Sequence, residues 1–163
     1  MSGVKEDFDV VILTVPAPQV LQLGGDVPSL LSSQPELQDG FRAVKFSSRY
    51  AMALYFNSGD GQHEPWAAKY IDDHPIFRYV AIDNRKRNRP ERPPAAVLHT
   101  NVKYGAENVE KTLIEMEPLL LEEYNKLFQS WPKPAAVKCQ KWRYSQVILC
   151  PLCFCLCYLQ FVN

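Results

Sequence analysis

Glycine is scarce in this chain, with seven residues in 163, at positions 3, 24, 25, 40, 59, 61 and 105. None spells GxGxxG after a strand, which excludes the turn that lets backbone amides and a helix N-terminus approach a dinucleotide pyrophosphate. Gly59 and Gly61 give a lone GxG inside NSGDG, the composition of a hairpin turn. Net charge is absent too: eighteen basic residues balance eighteen acidic ones. No overall field recruits nucleic acid, an anionic membrane or acidic substrates. MSGVKEDFDV lacks the apolar core of a signal peptide, and the apolar stretch after it is interrupted by Pro16 and Pro18, so a cytoplasmic chain is expected. A spaced disulfide framework is missing as well. Cys139 stands alone, and Cys150, Cys153, Cys155 and Cys157 crowd into eight positions, which favours a reducing compartment. There is no HExxH, nucleophile elbow or internal repeat.

What is present suits one ordinary α+β domain, since 47% hydrophobic and 22% charged residues at this length allow a sizeable core. Residues 8–15, FDVVILTV, are a continuous β-branched apolar run ended by Pro16, which predicts a strand buried on both faces. Short helical pieces are expected between Ala17 and Phe41, with Asp26 a candidate N-cap before Pro28. From Val44 to Phe56 the even positions are mostly apolar and the odd ones include Lys45, Ser47 and Arg49, the pattern of a long half-buried strand. Three further strands are expected at Trp66 to Ile71, Ile76 to Asp83 and Ala96 to Val102, in an antiparallel meander. The loop NRKRNRPERPP between the last two is charged and stiffened by proline. Apolar residues from Val109 to Trp131 recur at helical spacing, predicting a helix over about 107–130 that Pro118 bends or splits. AAVKCQKWRYSQ reads as a final strand, with Gln140, Trp142 and Tyr144 on one face and Cys139, Lys141 and Arg143 on the other.

At about residue 147 the texture changes to VILCPLCFCLCYLQFV, a run without charge. Thiolates can bind zinc, but this CxxCxCxC lies in an uninterrupted apolar run, unlike separate CxxC knuckles that wrap one ion, so no metal site is assigned. The run is also shorter than the roughly 20 residues of a spanning helix, and Pro151 lies inside it, so a tail anchor is the weaker reading.

FDVVILTVPAP, SSRYAMALYF, PWAAKYI, FRYVAIDNRKRN, VLHTNVKYG and KCQKWRYSQV occur in an order that resembles the renalase family of the flavin amine-oxidase superfamily, over roughly residues 6–147. The resemblance implies a two-domain FAD-dependent oxidase similar in architecture to p-hydroxybenzoate hydroxylase. Residues 1–41 would then be a remnant strand and connector of a Rossmann-type FAD domain, 42–146 an antiparallel-sheet substrate domain with flanking helices, and 147–163 a non-family tail. It also implies a nicotinamide dinucleotide substrate, in aberrant or anomeric NAD(P)H form, with oxygen as acceptor. Secretion is expected only of the complete family protein. Because both glycine-rich flavin contacts of the family are missing from this sequence, the chain is expected neither to retain FAD nor to act as an oxidase alone.

Four side chains are candidate substrate contacts. Asn84 follows a strand in the family-like IDN run and carries an amide suited to a carboxamide, although asparagine after a strand is also a common turn former. His99 lies on the Ala95, Val97, His99, Asn101 face of its strand. Trp142, in the KWR segment that the resemblance places near the flavin, could stack on a flat ring. Tyr70, and more weakly Tyr50, could line the pocket wall. The basic residues Arg85, Lys86, Arg87, Arg89 and Arg92 read as a solvated loop, lacking the aromatics and groove of a nucleic-acid site, although the loop could also grip dinucleotide phosphates. Glu64, Asp72, Asp73 and His74 form no triad. Two other functions compete, a non-catalytic interaction protein and a fragment held at a membrane by its tail. A sheet face built to be covered would invite aggregation or chaperone binding.

Overall fold

The computed structural model describes residues 9–60 and 64–150. The described residues divide into two compact units, one of residues 9–46 and 147–150, the other of residues 47–60 and 64–146. The first contains three short helices, α1 (Ala17–Val20), α2 (Val27–Ser32) and α3 (Pro35–Ala43), around buried Val20, Leu31 and Val44. Proline at the first or second position starts each helix, where its missing N–H costs nothing. Asp26 does occupy the N-cap position of α2, but its side chain makes no capping hydrogen bond. Residues 9–15 form no strand, and Val10 and Ile12 are 67% and 82% exposed. The buried strand expected there is therefore corrected: a strand buried on both faces needs neighbours at both edges, and no described strand pairs with this run.

The second unit is built on a five-stranded sheet among the described residues, with strands β1 (Lys45–Tyr55), β2 (Ala68–Tyr70), β3 (Phe77–Ile82), β4 (Ala95–Thr100) and β5 (Ala136–Leu149). Their spatial order is β2-β3-β4-β1-β5. The expected meander holds only for β2-β3-β4, because β1 crosses to the far side of β4 instead of pairing with β2. β1–β4, β2–β3 and β3–β4 are antiparallel. β5 also runs against β1: the Ala135 N–H donates to Tyr55 O at 2.8 Å, while Ser48 Oγ near the other end donates to Arg143 O at 2.8 Å. β5 continues through Val147 to Leu149, so the change of composition at 147 falls inside a strand.

One face of the sheet is the core. The even positions Tyr50, Met52 and Leu54 of β1 join Phe77, Val80, Ile82, Ala96, Leu98 and Cys139 against Met116, Leu120 and Tyr124 of helix α6 (Leu113–Leu127). This helix replaces the single one expected from 107. Thr112 and Glu115 form a reciprocal capping box, with Glu115 Oε2 accepting the Thr112 N–H at 2.7 Å and Thr112 Oγ1 accepting the Glu115 N–H at 3.3 Å. An N-cap of this kind contributes about 1 kcal/mol and fixes the start of the helix. The helix runs unbroken through Pro118, whose ring frees the carbonyl of Ile114, and that residue is 88% exposed, so water can reach it. Val102–Asn108 is a separate helix, α5, capped by Asn101 Oδ1 accepting the Tyr104 N–H at 2.8 Å.

α5 lies directly on β1. Gly105 is buried, and a β-carbon there would stand 2.9 Å from Arg49 Cα and nearer still to the Ser48 carbonyl. Three donors meet the carbonyls just beyond this helix. Tyr50 Oη donates to Asn108 O at 2.8 Å and Lys111 O at 3.0 Å, Lys141 Nζ to Val109 O and Lys111 O at 2.9 Å each, and Arg143 to Val109 O at 3.5 Å. Positive charge is favoured there, because a helix C-terminus carries partial negative charge.

Candidate functional site

The other face of the sheet carries the chemistry. Cross-strand register sets Tyr70 of β2 opposite Tyr79 of β3, Tyr79 opposite His99 of β4, and His99 opposite Ala51 of β1. The ring centroids of Tyr70 and Tyr79 are 5.3 Å apart, and those of Tyr79 and His99 are 5.6 Å apart in an edge-on arrangement. The next row, Ala68–Ala81–Val97–Ala53, consists of small side chains and forms a shallow apolar floor beside the rings. Period-two alternation produces both rows, because the residues between them, Val80, Leu98 and Met52, point into the core.

Helix α4 (Asp83–Lys86) turns out of β3 and packs on β3 and β4. It brings Lys86 Nζ to 6.0 Å from the centre of the Tyr79 ring. Arg49 projects from β1, its guanidinium donating to Thr100 O at 3.4 Å and Gln146 Oε1 at 3.1 Å. The buried Arg49 Nε and Asn84 Oδ1 have no hydrogen-bond partner among the described residues. Burial, then the nearby charges of Arg49 and Lys86, hold the His99 imidazole below its ordinary range and so favour the neutral ring.

The structure joins Tyr70 and His99 through Tyr79, a residue absent from the sequence-level candidates. Asn84 lies on α4, half-buried at the margin of the face. Trp142 does not join them. It is 53% exposed on β5, outside the row of rings, two strands from His99 on β4 and four from Tyr70 on β2. Its neighbours Lys141 and Arg143 hold the end of α5, a structural use of the KWR segment. Tyr50 is corrected from pocket wall to core: it is 1% exposed, and burial raises its phenol above the usual range. His74 is a loop anchor, its Nδ1 accepting the N–H groups of Ile76 at 3.2 Å and Phe77 at 3.0 Å. Cys139 is buried at 6% exposure, and burial, followed by the Glu117 carboxylate, pushes its thiol up to about 12. It is therefore unreactive as a nucleophile near neutral pH. Cys153, Cys155 and Cys157 of the cysteine run lie outside the described residues, as do Gly61 and the first residue of the 8–15 run. Among the described residues no cluster of metal-ligating side chains occurs, and no helix is long and apolar enough to cross a membrane.

No protein-family profile matches the chain. Renalase of Mus musculus, however, is 38% identical over 148 residues, an alignment spanning 90% of this chain and 43% of the mouse protein. This chain is a relative of renalase. It spans less than half the length of that protein. Among solved structures, one provisionally named a protoporphyrinogen oxidase from Exiguobacterium sp. 255-15 matches 87% of the chain and 30% of its own, with a TM-score of 0.62 at 17% identity. That likeness concerns the fold, and it gives the antiparallel sheet and flanking helices of the renalase relative a precedent in a larger protein.

Renalase-type chemistry implies FAD, and the described residues do not fit its pyrophosphate. Gly24, Gly25 and Gly59 stand in open space with nothing near a β-carbon position, and Gly105 is closed by the β1 backbone. None lies in a strand-to-helix turn with amides converging on an anion.

His99 also makes stability depend on pH. Its folded-state pKa is depressed, so as pH falls the unfolded chain takes up the proton first. Its contribution should be complete above about pH 6.5, the unfolded value, and decline below it until the folded group also titrates. Urea midpoints recorded between pH 7.5 and 5.5 should fall, and His99→Gln should flatten that decline. An equal decline in the variant would remove His99 as its source.

Proposed function

We propose that this chain supplies the substrate-facing sheet of a renalase-like, FAD-dependent oxidoreductase that acts on aberrant or anomeric NAD(P)H with oxygen as acceptor, and that by itself it binds the nicotinamide dinucleotide without turning it over. The observation that carries this reading is the Tyr70–Tyr79–His99 row beside the small-residue floor. A flat ring can rest on the methyl groups of Ala53 and Val97 with aromatic edges at its side. The half-buried Asn84 amide at the margin of the face carries the donor and acceptor pair that a carboxamide matches, and His99 offers a further ring donor to the substrate. Lys86 and Arg49 supply the positive charge that a dinucleotide requires.

The flavin, when bound in a complete enzyme, supplies the redox chemistry, and no step through it is assigned to this chain. The residues here orient the substrate and shield one side of it from water. Mixing the purified chain with excess FAD, desalting and recording the visible spectrum should give a colourless protein, whereas NAD+ should perturb the tyrosine resonances of the row. A stoichiometric yellow protein would overturn the first statement, and unchanged Tyr79 resonances the second. Partition of the chain between detergent and water, with and without residues 147–163, tests the competing membrane reading.

A further inference from the structure

The flank of the aromatic row carries more than ring packing. Arg49 and Lys86 come from different elements, β1 and α4, and the charges of both act on His99. Arg49 lies on the same strand face two residues before Ala51, the cross-strand partner of His99, and Lys86 Nζ is 6.0 Å from the centre of the Tyr79 ring, which in turn is 5.6 Å from the His99 ring. The acidic groups nearby are committed elsewhere. Asp83 of α4 accepts from Arg87 Nε at 2.8 Å, and Asp72, beyond Tyr70 at the sheet edge, is paired with Arg78, whose guanidinium also covers the Tyr70 ring at 5.3 Å. Arg49 keeps an unused donor at Nε. Two cations thus lie near one half-buried imidazole, an arrangement that is unfavourable without a counterion.

We propose that Arg49, His99 and Lys86 form an anion site for a phosphate or pyrophosphate group, and that His99 takes up a proton from solvent as the anion binds. Within the dinucleotide reading, on which this part rests, the site receives the phosphate-bearing end of the substrate; the geometry itself requires only an anion. Coupling is reciprocal: an anion that favours the protonated ring is itself bound more tightly by it. Binding should therefore strengthen as pH falls through the His99 titration.

The chain has three histidines, so the imidazole signals of the full-length protein can be followed individually by NMR, with His99→Gln as the assignment control. The probes are inorganic pyrophosphate and, separately, NAD+. Saturating pyrophosphate should raise the His99 pKa by about one unit, equivalent to about tenfold tighter binding to the protonated form. Lys86→Gln, on the exposed side of α4, and Arg49→Gln should each reduce that rise by more than half, whereas Lys126→Gln on α6 should leave it unchanged. A His99 titration that ignores pyrophosphate overturns the proposal, as does an equal rise in all three variants, which would mark general screening. Movement with pyrophosphate but not NAD+ keeps the anion site and removes the dinucleotide reading. NAD+ perturbing Tyr79 while His99 responds to neither probe does the reverse.

Discussion

Gly105→Ala should cost about 3 kcal/mol or more, a large share of the roughly 5–15 kcal/mol that keeps an ordinary domain folded. The added methyl would stand 2.6 Å from the Ser48 carbonyl carbon and 2.9 Å from Arg49 Cα, both backbone atoms that no rotamer change can move aside. α5 would have to lift from β1, and the contacts of Tyr50 and Lys141 with the carbonyls beyond that helix would lengthen together. Chemical denaturation followed by tryptophan fluorescence measures the effect. A midpoint equal to that of the parent chain would mean that α5 is free to slide along the strand.

The second large effect is expected at Leu98→Ala, at about 3–5 kcal/mol. Leu98 is fully buried in the middle of β4, opposite Met52 on one side and Val80 on the other. Its loss opens a cavity between three strands and α6 that rigid β-sheet neighbours cannot close. His99→Gln, one residue along, should cost at pH 7 about 1 kcal/mol or less, because its side chain faces away from the core and is only half-buried. The contrast is measurable by parallel urea titrations; similar losses at the two positions would contradict the two-faced reading of β4.

That alternation is the part of the fold most legible in the sequence. Val44 to Phe56 exposes its period because its even positions are mostly apolar while the odd ones include Lys45, Ser47 and Arg49. Residues 8–15 carry no such contrast, and a uniform apolar run reveals nothing about where its neighbours lie. The helix start was written in Thr112-Leu-Ile-Glu115, but the apolar spacing extends backwards through Val109 and hides it. The crossing of β1 to the far side of β4 is invisible locally, because strand order depends on which edges pair, not on the composition of any strand. The candidate site behaves similarly. His99 and Tyr70 stand out as polar-tipped rings in strands, while Tyr79 is concealed inside FRYVAI, where alternation is blurred by Val80, Ala81 and Ile82 all being buried. Register alone brings the three into a row. Trp142 attracted attention through the segment around it, and the structure assigns that segment's basic residues to the end of α5.

The three donors gathered at Asn108 to Lys111 also set how the sheet ends. β5 is an edge strand, and two of those donors, Lys141 and Arg143, belong to it, so this border is tied to the molecule partly by charge. The opposite border, β2, is only three residues long and is held by its backbone pairing to β3, with Arg78 beside it paired to Asp72 and lying over the Tyr70 ring. Ionic strength therefore acts on both borders: salt loosens the exposed Arg143–Glu110 pair beside β5 and the exposed Arg78–Asp72 pair beside β2, while the backbone ladders are almost untouched. Added salt should therefore quicken amide exchange in the two border strands more than in β4 at the centre of the sheet.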